Sequence, residues 1–286
     1  MMVTVGIGDI HGRFARVEEW LRALPRVDLA FAVGDVEAFL TADDHRRKAV
    51  KRQMPAEYAE YAQGRRALPL PIHFIGGNNE DFETLHRMQG GGELPGGLRY
   101  LGRVGVTELG GLRVAFLSGI YAPKHFQTPL LAPTTADTRK RAGYFRESEL
   151  TALENVGQVD LMLLHEWPRG LLMRKKSRRP LRAYRFPWIG NPIAKALVEK
   201  VRPKWLWCGH SHVPYATTLR HADGGETHVA CLDQATRPDA SLFWLEWDGR
   251  TPVRAGWGIS GQTSWTAGKP WDERLTPEEA TNADEW

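Results

Sequence analysis

Five short apolar runs in this chain each end on residues of the kind that bind metal ions. The first run, Met2–Ile7, is rich in β-branched residues and leads into Asp9 and His11. The later runs end on Asp35, on Asn78, on His165, and on His210 with His212. Apolar runs of this length are typical of strands buried in a parallel sheet. Because the carboxyl ends of such strands meet at one edge of the sheet, we expect these side chains to share one site.

The segments between the runs predict an α/β fold. Apolar residues at helical spacing over residues 13–24, followed by a strand over 28–33, complete a βαβ unit. Further strands are predicted over 71–75, 98–101, 104–109, 112–117, 159–164 and 204–208, and helices over 81–88, 147–156 and 193–201. One or two solvated helices are expected within 40–66. We interpret residues 121–143 as a long surface loop and 215–258 as antiparallel strands that complete a second sheet.

Length and composition are typical of one soluble globular domain. The 286 residues are 42% hydrophobic and 25% charged, and no apolar stretch is long enough to cross a bilayer. We expect the domain to span 1–260 and residues 261–286 to form an acidic, loosely ordered tail. Two cysteines are too few for a disulfide framework and the N-terminus lacks a signal pattern, so the expected compartment is the cytoplasm. The oligomeric state is not indicated.

The mixture of side chains at the strand ends predicts the kind of metal. Asp9 and His11 are two residues apart in an extended segment, so both point the same way and can reach one ion. Carboxylate and amide oxygens mixed with imidazoles suit Mn²⁺, Fe²⁺ or Zn²⁺. Seven ligands are too many for one such ion and match two ions that share a carboxylate. The alternative is that each residue is an ordinary hydrogen-bonded group after a strand.

These motifs resemble those of the calcineurin-like metallophosphoesterases. The motifs that carry the resemblance are Gly8-Asp9-Ile10-His11-Gly12, Gly34-Asp35, Gly77-Asn78-Asn79-Glu80, His165 and Gly209-His210-Ser211-His212. Two further phrases, Met54-Pro55-Ala56-Glu57-Tyr58 and His165-Glu166-Trp167-Pro168-Arg169, are similar to those of the RNA lariat debranching enzymes. The resemblance covers roughly residues 1–250 and implies an α/β fold, a two-sheet α/β/β/α sandwich with a dinuclear metal centre.

The resemblance also implies a role for each ligand. One ion would be held by Asp9, His11, Asp35 and His212, and the other by Asp35, Asn78, His165 and His210, with Asp35 as the bridge. Mn²⁺ is the expected metal of both sites, with Fe²⁺ or Zn²⁺ as alternatives. A hydroxide bridging the two ions would attack a phosphodiester in line. The expected catalytic residues are Asp35, Asn78, Asn79 and His11.

Two positions depart from the debranching enzymes. That family usually has cysteine where this chain has Asp9, and its relatives mostly have histidine where this chain has Asn79. An amide can donate a hydrogen bond to a phosphate oxygen but cannot protonate a leaving group, so Asn79 favours diesters over monoesters. His125, in the 121–143 segment, is an alternative source of that proton, and an ordinary surface histidine is the competing interpretation.

A basic stretch follows the run that ends on His165. Seven Lys or Arg residues lie within 174–185, with aromatic residues among and after them. Basic side chains neutralise phosphates while aromatic rings stack on bases. The predicted substrate contacts are therefore Asn79, Arg174, Lys175, Lys176, Arg178 and Tyr184. The competing interpretation is a solvated run of charge.

Three functions are compatible with the sequence. The favoured one is a metal-dependent phosphodiesterase, a nuclease acting on RNA or DNA or an enzyme acting on a nucleotide, with no membrane partner. A broad phosphomonoesterase or protein phosphatase is the second, and Asn79 disfavours it. The third is a non-catalytic metal-binding interaction module, which the complete set of seven ligand positions disfavours.

Overall fold

The computed structural model describes residues 1–41, 44, 57–171 and 190–268. Within them the strands are β1 Met2–Ile7, β2 Leu29–Ala32, β3 Ile72–Phe74, β4 Gly92–Leu94, β5 Leu98–Tyr100, β6 Val104–Leu109, β7 Leu112–Leu117, β8 Leu161–Leu164, β9 Trp205–Cys208, β10 Tyr215–Arg220, β11 Glu226–Cys231, β12 Leu242–Asp248, β13 Thr251–Trp257 and β14 Trp265–Thr266. The α-helices are α1 Phe14–Ala23, α2 Tyr58–Ala62, α3 Phe82–Arg87, α4 Ala136–Ala142, α5 Pro192–Val201 and α6 Pro238–Ser241, and 3₁₀ turns span Pro123–His125 and Glu147–Leu153.

The strands form two mixed sheets. The first has the order β14-β13-β12-β1-β2-β3-β5-β4, and the second has the order β10-β11-β9-β8-β7-β6. The neighbours β1, β2, β3 and β5 are parallel in the first sheet, as are β7, β8, β9 and β11 in the second. The predicted α/β architecture with two sheets is confirmed.

Three apolar clusters hold the sheets and helices in layers. Helix α1 buries Phe14 and Val17 in a cluster with β1 and β3 on the outer face of the first sheet. Helix α5 buries Leu197 in a cluster with β8 and β9 on the outer face of the second sheet. Between the sheets, aromatic side chains such as Trp207 and Phe243 form a third cluster. The order of layers is therefore helix, sheet, sheet, helix.

Strands β12 and β13 lie in a different sheet from the one predicted. All strands of 215–258 are expected in the second sheet, but only β10 and β11 of them lie there. Strand β12 pairs antiparallel with β1 over Met2–Ile7 and Leu242–Trp247. Six of the seven residues of β12 are buried, because the strand lies inside the first sheet and covers the edge that β1 would otherwise expose.

Two other expectations are corrected. The segment 121–143 is not a featureless loop, since α4 forms within it behind a capping box in which Thr135 and Thr138 bond each other's backbone amides. Residues of the expected tail also join the fold, because β14 pairs with β13 and buries Trp265. The first sheet thus extends six residues past 260, to Thr266. Residues 269–286, the rest of the predicted tail, lie outside the described residues.

No helix in the described part of the chain combines the length and the apolar character needed to span a membrane.

Candidate metal centre

The five predicted strand ends come together at one edge of the two sheets. Strands β1, β2 and β3 are adjacent and parallel, so the residues that follow them share one edge of the first sheet. Strands β8 and β9 have the same relation in the second sheet. The structure brings all seven predicted ligand positions into one site, and two groups of side chains in it are spaced to hold a metal ion.

The first half-site consists of Asp9, His11 and His212. The Nε2 atom of His212 lies 2.9 Å from Oδ2 of Asp9 and 3.2 Å from Nε2 of His11. Asp9 and His11 are fully buried, and the side chain of His212 is 11% exposed. One side of this group is therefore reachable from solvent.

The second half-site consists of Asn78, His165 and His210, and Asp35 is the carboxylate shared by the two half-sites. The Nε2 atom of His165 lies 3.2 Å from Oδ1 of Asn78 and 3.4 Å from Oδ1 of Asp35. The other Asp35 oxygen, Oδ2, lies 3.9 Å from Nε2 of His11 in the first half-site. Each oxygen of Asp35 thus faces one half-site, which is the geometry that a bridging ligand needs.

Hydrogen bonds behind two of the imidazoles turn their Nε2 atoms toward the centre. The Nδ1 atom of His11 lies 2.8 Å from Oε1 of Glu37, and that of His165 lies 2.7 Å from the carbonyl of Val33. A ring nitrogen that donates to such an acceptor leaves the lone pair on the other nitrogen. When neutral, His11 and His165 are therefore held in the tautomer that can bind a metal through Nε2.

The charges of the centre are strongly coupled. Burial disfavours the imidazolium of His165, but Asp35 and Asp9 outweigh it and raise the pKa of His165 to about 10. Burial would raise the pKa of Asp35, yet the charge and hydrogen bond of His165 hold it well below its usual range. Burial and then the charge of His165 lower the pKa of His210 to about 4. The buried carboxylates thus stabilise a positive charge on His165 in the metal-free site.

The donor set fits divalent cations. The Nε2 atoms of His11 and His212 face each other at 3.2 Å, a separation at which two nitrogen lone pairs need a proton or a cation between them. The carboxylates of Asp9 and Asp35 are 0% and 2% exposed. Burying a carboxylate without a compensating charge costs several kcal/mol, and a divalent ion supplies that charge.

Four residues of the centre share a strained backbone conformation with a positive φ angle. Positive φ angles occur at His11 (47°), Asp35 (47°), His210 (66°) and His212 (52°). Non-glycine residues in such regions cost about 1–3 kcal/mol each and persist where the surroundings fix them. Here the His11 amide donates to the carbonyl of Asp35 at 2.8 Å, which ties the first two ligand loops together.

Glycines at two positions allow the loops to approach the carboxylates. A Cβ atom on Gly77 would lie 2.1 Å from Oδ1 of Asp35, and one on Gly209 would lie 2.2 Å from Oδ1 of Asp9. Neither glycine position can therefore carry a larger residue without moving the carboxylate beside it. The amide of His210 also donates to both Asp9 oxygens at 3.1 Å, which links the two half-sites.

The family profile for calcineurin-like phosphoesterases matches residues 2–214. The chain belongs to the calcineurin-like phosphoesterase family. It is 30% identical over 243 residues to the lariat debranching enzyme of Homo sapiens, covering 77% of this chain and 44% of that protein. It is 25% identical over 244 residues to the lariat debranching enzyme of Entamoeba histolytica, covering 79% of this chain and 67% of that protein.

This calcineurin-like phosphoesterase chain spans less than half the length of the relatives from Xenopus laevis, Homo sapiens and Mus musculus. Among solved structures, a hypothetical protein from Thermus thermophilus aligns at 14% identity and a TM-score of 0.46, covering 90% of this chain and 98% of that chain.

Asn79 contacts the shared carboxylate of this calcineurin-like centre twice. Its backbone amide donates to Oδ1 of Asp35 at 2.7 Å, and its side-chain NH₂ donates to Oδ2 at 2.6 Å. Its side-chain oxygen is buried and has no hydrogen-bond partner among the described residues. His125, the predicted alternative source of a proton for the leaving group, stacks on Tyr144 with ring centroids 5.6 Å apart.

Two buried glutamates at the centre were not predicted to have a role. Glu37 follows Asp35 by two residues, and its carboxylate contacts His11. Glu80 accepts hydrogen bonds from the amides of Val36, Glu37 and Gly77 at 2.9–3.0 Å. Burial and then the charge of Asp35 raise the pKa of Glu80 to about 8. Glu80 was visible only as the last letter of the third motif.

The predicted basic contacts lie outside the described residues. These are Arg174, Lys175, Lys176, Arg178 and Tyr184. They remain predictions, as does the contact of Asn79 with a substrate.

Proposed function

We propose that this chain is a dinuclear-metal-dependent phosphodiesterase. The observation that carries the proposal is the position of Asp35, with one carboxylate oxygen toward each of two groups of buried ligands. Two groups that share a carboxylate match the need of phosphoryl chemistry for two neighbouring cations. Membership in the calcineurin-like phosphoesterase family supports the same reaction class.

The residues of the two half-sites are the proposed metal ligands, with Mn²⁺ favoured and Fe²⁺ or Zn²⁺ as alternatives. When bound, two such ions would supply a water of lowered pKa as the nucleophile and positive charge for the phosphate oxygens. The protein's own contribution is to fix the donors before the substrate arrives. Glu37 and the carbonyl of Val33 hold the Nδ1 atoms of His11 and His165, and positive φ angles hold the backbone.

Asn79 is the proposed substrate contact within the described residues. Its NH₂ group can donate to a phosphate oxygen once it leaves Asp35, but an amide does not titrate and cannot protonate the departing alkoxide. Loss of a general acid typically removes about 10²–10⁴-fold in rate. The enzyme would therefore act best on diesters whose leaving oxygen needs little protonation, and poorly on alkyl monoesters.

A nucleic acid or nucleotide is the substrate class that we propose. The support is the similarity to proteins named lariat debranching enzymes, at 25–30% identity. The basic residues within 174–185 would add phosphate contacts. Asp9 is the point of contrast, because it gives the first half-site an oxygen ligand where the debranching enzymes usually have a thiolate. The two cysteines are free and buried, which is compatible with the cytoplasmic location that we propose.

One substrate panel tests the proposal. The full-length protein, stripped with EDTA and reloaded with Mn²⁺, would be assayed on bis-p-nitrophenyl phosphate, p-nitrophenyl phosphate, 2′,3′-cyclic nucleotides and branched RNA. We expect hydrolysis of diesters that EDTA abolishes and Mn²⁺ restores. Cleavage of branched RNA ahead of the other substrates would extend the proposal to debranching.

The same panel separates the alternative functions. Faster turnover of p-nitrophenyl phosphate than of its diester would make the protein a phosphomonoesterase. Two bound Mn²⁺ ions without hydrolysis of any of these substrates would favour a non-catalytic metal-binding module. Hydrolysis that is unaffected by EDTA would contradict the metal-dependent mechanism.

A further inference from the structure

A buried carboxylate lies directly behind one ligand of the first half-site. Oε1 of Glu37 is 2.8 Å from Nδ1 of His11, and the two residues are 4% and 0% exposed. A carboxylate that accepts from the outer nitrogen of an imidazole fixes the tautomer and increases the electron density on the inner nitrogen. The inner nitrogen of His11 is the one that faces Asp9, Asp35 and His212.

The fold holds Glu37 in this position at an energetic cost. Its φ angle is 54°, a left-handed conformation that a glutamate rarely adopts. The amides of Val36 and Glu37 donate to the two oxygens of Glu80 at 3.0 and 2.9 Å. Glu80 also accepts from Gly77, at the loop that carries Asn78. A strained backbone that three buried hydrogen bonds fix is expected where the side chain has a defined task.

The second half-site has a different arrangement behind its imidazole. Nδ1 of His165 donates to the neutral carbonyl of Val33, at 2.7 Å. The oxygen ligand of that half-site is the neutral amide of Asn78, whereas the first half-site has the carboxylate of Asp9. A divalent cation in the first half-site would therefore face more negative charge than one in the second, because Asp35 is common to both.

We propose that Glu37 is a positioning residue that makes the first half-site the tighter of the two, so that the protein takes up its two divalent ions in sequence. The inference rests on the proposed dinuclear site. Glu37 acts through His11, by fixing its Nε2 lone pair toward the ion and by adding a buried negative charge behind the ring. Loss of such an outer partner typically lowers metal affinity about 10–100-fold.

Calorimetric titration of the EDTA-stripped full-length protein with Mn²⁺ tests the proposal without any substrate. The wild type should bind two ions in two steps of different affinity. Glu37→Gln, which keeps the shape and removes the charge, should weaken the tighter step about 10–100-fold and the weaker step by less than about threefold. Equal weakening of both steps, or none, would overturn the proposal.

Glu166→Gln is the matched control. Glu166 is a partly buried carboxylate next to His165 in sequence, and it accepts hydrogen bonds from the amide of Tyr121 and the side chain of Asn191 at 2.8 and 2.6 Å. Its substitution removes a carboxylate near the centre without changing the hydrogen bond behind His11. Both binding steps should stay within about threefold of the wild type. If Glu166→Gln weakens the tighter step as much as Glu37→Gln does, then any nearby negative charge has the same effect on metal affinity. That result would overturn the positioning role of Glu37.

Nitrogen-15 NMR of the wild-type protein gives a second readout that needs no variant to fold. With Glu37 behind it, His11 should carry its hydrogen on Nδ1 when Zn²⁺, which is diamagnetic, is bound, and its Nε2 resonance should shift with the first equivalent of Zn²⁺. The opposite tautomer, or a shift only with the second equivalent, would contradict the proposal. If two ions bind in this order and no phosphate ester is hydrolysed, the proposed function fails and the assignment of Glu37 stands.

Discussion

Each half-site combines two histidines with one oxygen-bearing side chain, but the half-sites differ in the charge of that side chain and in what lies behind one imidazole. The first has the carboxylate of Asp9 and a second carboxylate behind His11, while the second has the amide of Asn78 and a backbone carbonyl behind His165. Each half-site takes side chains from both sheets, since His212 follows β9 and Asp9 follows β1, and His165 follows β8 and Asn78 follows β3. Neither half-site can form in one sheet alone. Their difference therefore lies in local charge and not in the architecture that supports them.

Asp35→Ala should produce the largest effect, because it removes the one ligand that the half-sites share. We expect the second ion to be lost, the first to bind more weakly, and diesterase activity to fall by more than about 10³-fold, since single charge-stabilising groups are each worth about 10²–10³-fold. Metal content by mass spectrometry and hydrolysis of bis-p-nitrophenyl phosphate check this. Reduced metal with retained activity would refute the dinuclear mechanism.

Single substitutions in each half-site should show which of the two half-sites binds its ion more tightly. His11→Ala and His210→Ala should each leave one ion per chain and lower activity about 10²-fold or more, and the ion retained by His210→Ala should be the tighter one. Mn²⁺ content after dialysis measures both. His125→Ala is the control for metal content, since His125 stacks on Tyr144 and belongs to neither ligand group. Equal retention by both variants would mean that the half-sites have the same affinity.

Asn79→His tests the residue that contacts the shared carboxylate and that we propose as a substrate contact. A histidine there can donate a proton to the leaving group, so we expect the ratio of monoesterase to diesterase activity to rise by about 10-fold or more. Rates on p-nitrophenyl phosphate and bis-p-nitrophenyl phosphate give the ratio, and Asn79→Gln serves as the control that keeps an amide. An unchanged ratio in Asn79→His would contradict our account of this position.

The smallest effect should appear in the stability of the metal-free protein as a function of pH. Burial disfavours charged His165, but Asp35 and Asp9 raise its pKa from 6.5 to about 10. The charged form is bound more tightly in the folded state, so its contribution is complete below pH 6.5 and is lost as the pH rises to about 10. We expect the Tm of the EDTA-treated protein to fall between pH 7 and 10.

Mn²⁺ should remove the part of that dependence that comes from His165, because a bound ion needs the neutral imidazole and replaces the positive charge, while the raised pKa of Glu80, about 8, leaves a smaller fall. Thermal unfolding followed by circular dichroism, with and without Mn²⁺, makes the comparison. A metal-free Tm that rises from pH 7 to 10 would show that His165 is not paired with Asp35 in the folded protein.

The clustering of the seven proposed ligands in one site could be predicted because the position of each depends on a local pattern. A buried parallel strand is a short apolar run, and the residue after it is fixed at the sheet edge. Asp35 and His165 are 130 residues apart in the sequence, yet each follows its own strand. The shared site therefore follows from topology and needs no knowledge of individual contacts.

Features that depend on long-range pairing could not be predicted. The alternation of β12 does not indicate which sheet the strand joins, and only its pairing with β1 decides it. Glu37 and His11 are 26 residues apart, and no spacing rule connects them. The asymmetry of the half-sites depends on this contact. Helix α4 was missed because its start is marked by a Thr135–Thr138 capping box with no apolar stripe behind it.

The pairing of β1 with β12 affects the order in which the protein can mature during synthesis. The last proposed ligand, His212, is translated before β12, yet Asp9 and His11 follow a strand whose antiparallel neighbour begins at Leu242. Until that neighbour emerges from the ribosome, β1 has an open edge and the first loop lacks its support. We therefore expect a nascent chain that already contains every ligand to capture metal poorly, and the released chain to capture it well.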